Sequence, residues 1–174
     1  REYSFRAVSL CAKYLKESLA PDASNEVFQG MMEAANLAGK AINISKTTSA
    51  HAWSYAITSH HSIPHGHAVW LTLPRIFQIH ATASAVTVTD PRGTEHFTSI
   101  ITRLIHILGI VSPEGSASHL KSYLKAINVE SDIAKIGANT AKQREFLSKQ
   151  VNIQRMSNNP VGLTGMHINQ IFDL

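Results

Sequence analysis

Apolar residues recur three and four positions apart through most of this chain, and that spacing commits it to helices. From Arg1 to Ala20, the residues Phe5, Val8, Ala12, Leu15 and Leu19 share one helical face before Pro21 breaks the pattern. Past the turn residues Pro21 to Asn25, a second helix runs to about Asn43 on Val27, Met31, Ala34, Ala35, Ala38 and Ile42. Its small residues Ala34, Ala35, Ala38 and Gly39 suit a closely packed neighbour. The polar run Ser45 to Ser49 offers N-caps for a third helix over about Ala50 to Thr58.

Pro64 fits the first turn of a fourth helix, where its missing N–H has no intrahelical partner. That helix reaches about Ala83 and is apolar on most faces, so it is expected to be the central buried one, kinked at Pro74. Further helices are predicted from Glu95 to Leu108, Ser116 to Asn128, Ile133 to Ile136, Thr140 to Gln150 and Met166 to Asp173, the last capped by Thr164. Only Ala85 to Thr89 alternates like a strand. With no second such run to pair with, it reads as loop or linker. The expected fold class is all-α, with residues 1 to 174 forming one helical domain.

A chain of 174 residues that is 44% apolar can bury a continuous core. Its net charge of +4 is scattered, without the basic block or aromatic interleaving of a nucleic-acid face. No apolar run approaches the roughly 20 residues of a membrane span, and no signal-peptide layout opens the chain. The single cysteine, Cys11, excludes an intramolecular disulfide and lies in an apolar stripe, which reads as core rather than nucleophile; a cytoplasmic location is expected. Arg1 enters a helical pattern directly, without an initiator Met, so the natural chain is expected to begin upstream.

The ten histidines are unevenly placed: His51, His60, His61, His65 and His67 lie close together. His51 falls near the start of one predicted helix and His65 in the first turn of the next. Two helices joined this way can aim side chains into a shared crevice, and neutral imidazoles there would suit Fe²⁺ or Zn²⁺. Spacing alone leaves the alternative open, because two histidines without a short fixed motif also match hydrogen-bonded structural residues.

A longer pattern carries more information. The stretch from Ala38 to Tyr55, containing Ser45-Lys46-Thr47-Thr48 and Ala50-His51-Ala52-Trp53, is followed by Ile63-Pro64-His65-Gly66-His67-Ala68-Val69. Together with the tail Asn159-Pro160-Val161-Gly162-Leu163-Thr164, it resembles the signature regions of iron-containing alcohol dehydrogenases, which share the dehydroquinate synthase-like fold. The resemblance implies the C-terminal helical domain of such an enzyme. An N-terminal nucleotide-binding domain for NAD(P) would pack against it, with catalysis in the cleft between them.

By the same resemblance, His51 and His65 are two of four metal ligands. The other two, an Asp and a His on an earlier helix, are expected upstream of Arg1, as is the glycine-rich nucleotide loop. Many members of the family have a histidine four positions after the first ligand; Tyr55 stands there in this chain, and its reference pKa near 10 makes it a poor proton relay. Water or His61 are alternative relays. Lys46 is a candidate for holding a substrate anion, since the Ser-Lys-Thr-Thr segment is most similar to reductases of phosphonate or other acidic aldehydes.

The expected reaction is hydride transfer between NAD(P) and a small alcohol or aldehyde, with Fe²⁺ or Zn²⁺ as Lewis acid. A homodimer is allowed, and the isolated chain is expected to be inactive. The alternatives are a lyase or cyclase of the dehydroquinate synthase kind and a non-catalytic helical scaffold with structural histidines. His67, His80, His96, His106, His119 and His167 carry no functional expectation.

Overall fold

Helix formation follows the apolar spacing closely. The computed structural model describes Arg1 to Leu174 and contains nine α-helices. They are α1 (Glu2–Tyr14), α2 (Asn25–Ile44), α3 (Ser49–His61), α4 (His65–Ala81), α5 (Thr94–Leu108), α6 (Ser116–Ala126), α7 (Ala141–Lys149), α8 (Ile153–Met156) and α9 (Gly165–Phe172). Short 3-10 turns lie at Glu17–Leu19 and Ala85–Thr87. The all-α expectation holds, and no helix is long and apolar enough to cross a membrane.

The core forms where α3 and α4 meet. Trp53, Ile57, Ala68, Leu71 and Ile76 from these helices bury against Phe97 and Ile101 of α5, Leu147 of α7, and Ile171 and Phe172 of α9. The Trp53 ring meets Phe172 edge-on at 5.3 Å between centroids, and its indole N–H donates to the Ser148 carbonyl at 2.9 Å. Burying an indole costs little when its one donor is satisfied in this way. Pro64 stands one residue earlier than expected, as the N-cap of α4, and α4 continues through Pro74 to Ala81.

The first two helices form a hairpin beside this core. The small-residue contact is shifted from its expected place: Ala34 is buried, but Ala35 and Gly39 are exposed. Closest approach falls at Gly30, where a Cβ would stand 2.3 Å from the Tyr14 ring. α1 also ends at Tyr14 rather than continuing to Ala20. Arg103 of α5 ties the hairpin to the core, stacking over Phe5 at 4.0 Å and pairing with Glu2. Cys11 is half-buried rather than in the core, and desolvation raises its thiol pKa.

Two other expectations are corrected. The alternating run near Val88 does find a partner: Val88 bridges Val161 in antiparallel fashion, with Thr89 N–H donating to Pro160 O at 2.9 Å and Gly162 N–H to Thr87 O at 2.8 Å. That partner is too short to show a period of its own. The segment from Ile133 to Ile136 forms turns instead of a helix. The Glu130 and Asp132 carboxylates accept local backbone N–H groups there, offering an alternative to helical bonding, and Gly137 leaves the turns at φ +111°.

Candidate functional site

The His51 helix begins at Thr48, whose carbonyl accepts from the N–H groups of both His51 and Ala52. Ser49, the first residue of α3, is fully buried and does not cap its own helix; its hydroxyl donates to Asn159 Oδ1 at 2.7 Å. On the side that faces the core, Ala50, Trp53 and Ile57 are buried. The opposite side carries His51 and Tyr55, one turn apart.

At the far end of α3, Ser62 takes a left-handed conformation at φ 53° and turns the chain. Three residues later α4 begins, and its first residue, His65, lies beside the second turn of α3. The His51 and His65 rings meet edge-on with centroids 5.4 Å apart. Tyr55 also stacks against His65 at 5.4 Å. His51 is half-buried, while His65 and Tyr55 are exposed at the mouth of the site.

The spacing of the two imidazoles fits one shared cation. With metal–nitrogen bonds of about 2 Å and tetrahedral angles, two ligating rings would have centroids about 5 Å apart. The pKa of His51 is lowered, first by burial, then by the charges of His65 and Arg155, so its imidazole is neutral and has a lone pair to offer near pH 7. Ser54 is fully buried between the two histidines. Its hydroxyl donates to His51 O at 3.0 Å, and its oxygen makes a long 3.5 Å contact with His65 Nδ1. With the Ser54 proton already committed, the contact favours a proton on His65 Nδ1, which leaves Nε2 free as a ligand.

Two donors do not complete a coordination shell. No group of three or more His, Cys, Asp or Glu side chains converges anywhere in the chain. The residues present therefore fit half of a four-ligand set.

The remaining predicted site residues are not drawn into this cluster. His61 lies ten positions beyond His51, about 15 Å along the helix axis, and packs on Gly137, where a Cβ would stand 2.9 Å from its Nδ1. Burial and the neighbouring His60 lower its pKa. Lys46 is exposed, and its ammonium makes no ion pair. Other histidines have local tasks: His67 Nε2 lies 2.7 Å from Glu130 O, His119 Nε2 lies 2.9 Å from Leu108 O, and His167 completes the capping box of α9 with Thr164. Sequence reading does not single out Ser54 or Arg155, since a serine inside a helix and an arginine in a polar tail carry no distinctive pattern.

A family model described as Fe-containing alcohol dehydrogenase family, C-terminal, matches residues 2–174. The chain belongs to that family. Among relatives of this alcohol dehydrogenase domain, the phosphonoacetaldehyde reductase of Streptomyces viridochromogenes is 30% identical over 156 residues, covering 88% of this chain and 38% of the relative. The sulfoacetaldehyde reductase of Bifidobacterium kashiwanohense, solved in complex with NAD+, superposes with a TM-score of 0.76 at 26% identity, covering 99% of this chain and 42% of that one. An alcohol dehydrogenase from Oenococcus oeni shares the fold, with a TM-score of 0.79 at 22% identity over 99% of this chain and 44% of that one. The domain thus spans about two fifths of the length of each of these relatives.

Proposed function

We propose that this domain is the metal-carrying half of an NAD(P)-linked reductase that interconverts a small aldehyde bearing an acidic tail with its alcohol. The observation that carries the reading is the His51–His65 pair, with centroids 5.4 Å apart on the chain of a family whose relatives include reductases of phosphonoacetaldehyde and sulfoacetaldehyde. In the complete enzyme a nucleotide-binding domain and two more ligands would be joined to it. The family match favours this reading over a lyase or cyclase, and the convergence of His51 and His65 favours it over a scaffold with unrelated structural histidines. The reading includes a cytoplasmic location and allows a homodimer.

His51 and His65 would hold a divalent ion, Fe²⁺ or Zn²⁺, which when bound would supply a Lewis acid for the substrate carbonyl, with the nicotinamide as the hydride source. The chain's own residues set the stage for that step. Lowered basicity keeps His51 unprotonated, and Ser54 orients His65. Tyr55 lines the mouth beside His65, where its hydroxyl can donate a hydrogen bond to a substrate oxygen. Lys46, exposed just before α3, would add long-range attraction for an anionic substrate.

The direct test is oxidation of NADH and NADPH by the complete protein with sulfoacetaldehyde, phosphonoacetaldehyde and propanal, before and after chelation and re-addition of Fe²⁺ or Zn²⁺. Metal-dependent turnover is expected, fastest with an acidic aldehyde. Absence of turnover with every aldehyde in the metal-loaded protein would overturn the reductase assignment.

A further inference from the structure

Five of the chain's arginines have evident tasks. Arg6 pairs with Glu33, Arg92 with Asp90 and Arg103 with Glu2, while Arg75 donates to Gln78 and Arg144 to the Ala138 carbonyl. Arg155 is half-buried on α8, yet its guanidinium makes no ion pair and no hydrogen bond; only its backbone is engaged, the N–H by Asn152 and the carbonyl by the Asn158 N–H. A guanidinium without a protein acceptor is free to pair with an anion that arrives from solvent.

The placement of Arg155 gives that cation a direction. Asn152 N–H donates to Ala52 O at 3.0 Å, and the Asn158 side chain donates to Thr47 O at 3.1 Å, so the segment carrying α8 lies across the first turn of α3. Arg155 stands midway between these two anchors, three residues from each, so the short segment that carries it is held against the stretch from Thr47 to Ala52, which contains His51, with Lys46 just outside.

We propose that Arg155 selects the substrate by pairing with a tetrahedral oxyanion tail, phosphonate or sulfonate, while the aldehyde carbonyl lies against the His51–His65 edge. The planar guanidinium fork matches two oxygens of such a group, which a lysine ammonium does not. Lys46 contributes attraction from the rim and Arg155 the bonded contact. The assignment rests on the reductase reading and extends it by naming the residue that distinguishes an acidic aldehyde from a neutral one of similar size.

The test uses the complete protein with Arg155→Ala and Arg155→Lys, each checked for an unchanged melting profile. Steady-state kinetics are compared for sulfoacetaldehyde, phosphonoacetaldehyde and neutral propanal. For Arg155→Ala, KM for both acidic aldehydes is expected to rise about 30-fold or more, on the scale of a lost charge-assisted hydrogen bond, with kcat little changed. Propanal kinetics should not move, and Arg155→Lys should recover part of the loss. An equal loss for all three aldehydes would overturn the proposal, because Arg155 would then act on His51 alone; so would no loss for any of them. A rise confined to one acidic aldehyde would support the pairing and identify the tail it serves. Calorimetric titration with isethionate, the alcohol counterpart of sulfoacetaldehyde, tests the same contact without turnover. Binding at least tenfold weaker in Arg155→Ala supports the pairing even if no aldehyde is reduced, whereas equal binding by the variant, or none by the wild type in a protein that also shows no preference for acidic aldehydes, overturns it.

Discussion

Ser49 donates its hydroxyl proton to Asn159 across 110 positions of sequence, at 2.7 Å and in the protein interior. This bond fastens the tail to α3 only two residues before His51. The same asparagine donates from Nδ2 to Val161 O at 2.7 Å and accepts at its backbone carbonyl from Thr89 at 3.2 Å. It thus joins the ligand helix to the Val88–Val161 bridge.

Replacing Asn159 with alanine leaves the Ser49 hydroxyl and the Val161 carbonyl buried without these partners. The expected loss is about 2–4 kcal/mol of unfolding free energy, measured by denaturant titration. Ser49→Ala should cost less, about 1–2 kcal/mol, because only the Asn159 acceptor is left short. A double variant no worse than Asn159→Ala would identify the two as one unit. Equal and fully additive losses would contradict it.

His80 ties stability to pH. Burial pushes its pKa down from 6.5 to about 4, so between those values the unfolded chain binds a proton that the folded chain refuses. Its contribution to stability is therefore complete above pH 6.5 and is lost as pH falls towards about 4. The loss levels off near 3 kcal/mol. Unfolding free energies measured from pH 7.5 to 3.5 should fall more steeply in the wild type than in His80→Gln across that window. Parallel curves would show that His80 is not held neutral.

Much of this architecture was legible in the sequence because helices announce themselves locally. The spacing of Val27 and Ala34, or of Phe97 and Ile101, follows from one surface turned towards a core, and the bounds of these two helices lie close to their expected places, although Leu37 rather than Ala35 or Ile42 completes the buried face of α2. What escaped depends on distant partners. Val88 pairs with a tail some seventy residues away, and Ile133 to Ile136 yields to side-chain caps that propensity does not weigh. The site divides in the same way. His51, His65 and Tyr55 meet because they belong to two consecutive helices, whereas Ser54, Arg155 and Asn159 gain their meaning from the way α3, α4 and the tail assemble.

His61 provides an internal control for that division. Because it packs on Gly137 rather than on His65, His61→Ala should leave metal affinity within about twofold of wild type, a change of about 0.4 kcal/mol or less. Gly137→Ala should instead destabilise the fold by about 1–3 kcal/mol, since φ +111° disfavours any side chain and its Cβ would press on the His61 ring. Calorimetry and thermal melts of the two variants separate these effects. Loss of metal binding in His61→Ala would return this residue to the site.

The central claim is that His51 and His65 grip one ion between neighbouring helices. Isothermal titration of Fe²⁺ or Zn²⁺ into the complete protein tests it directly, using wild type, His51→Ala and His65→Ala with melting profiles as the control for folding. One ion per chain is predicted for the wild type, with affinity at least 100-fold weaker in each variant, a loss of about 2.7 kcal/mol or more. Unchanged affinity in both variants would contradict the account and leave the two histidines as structural neighbours.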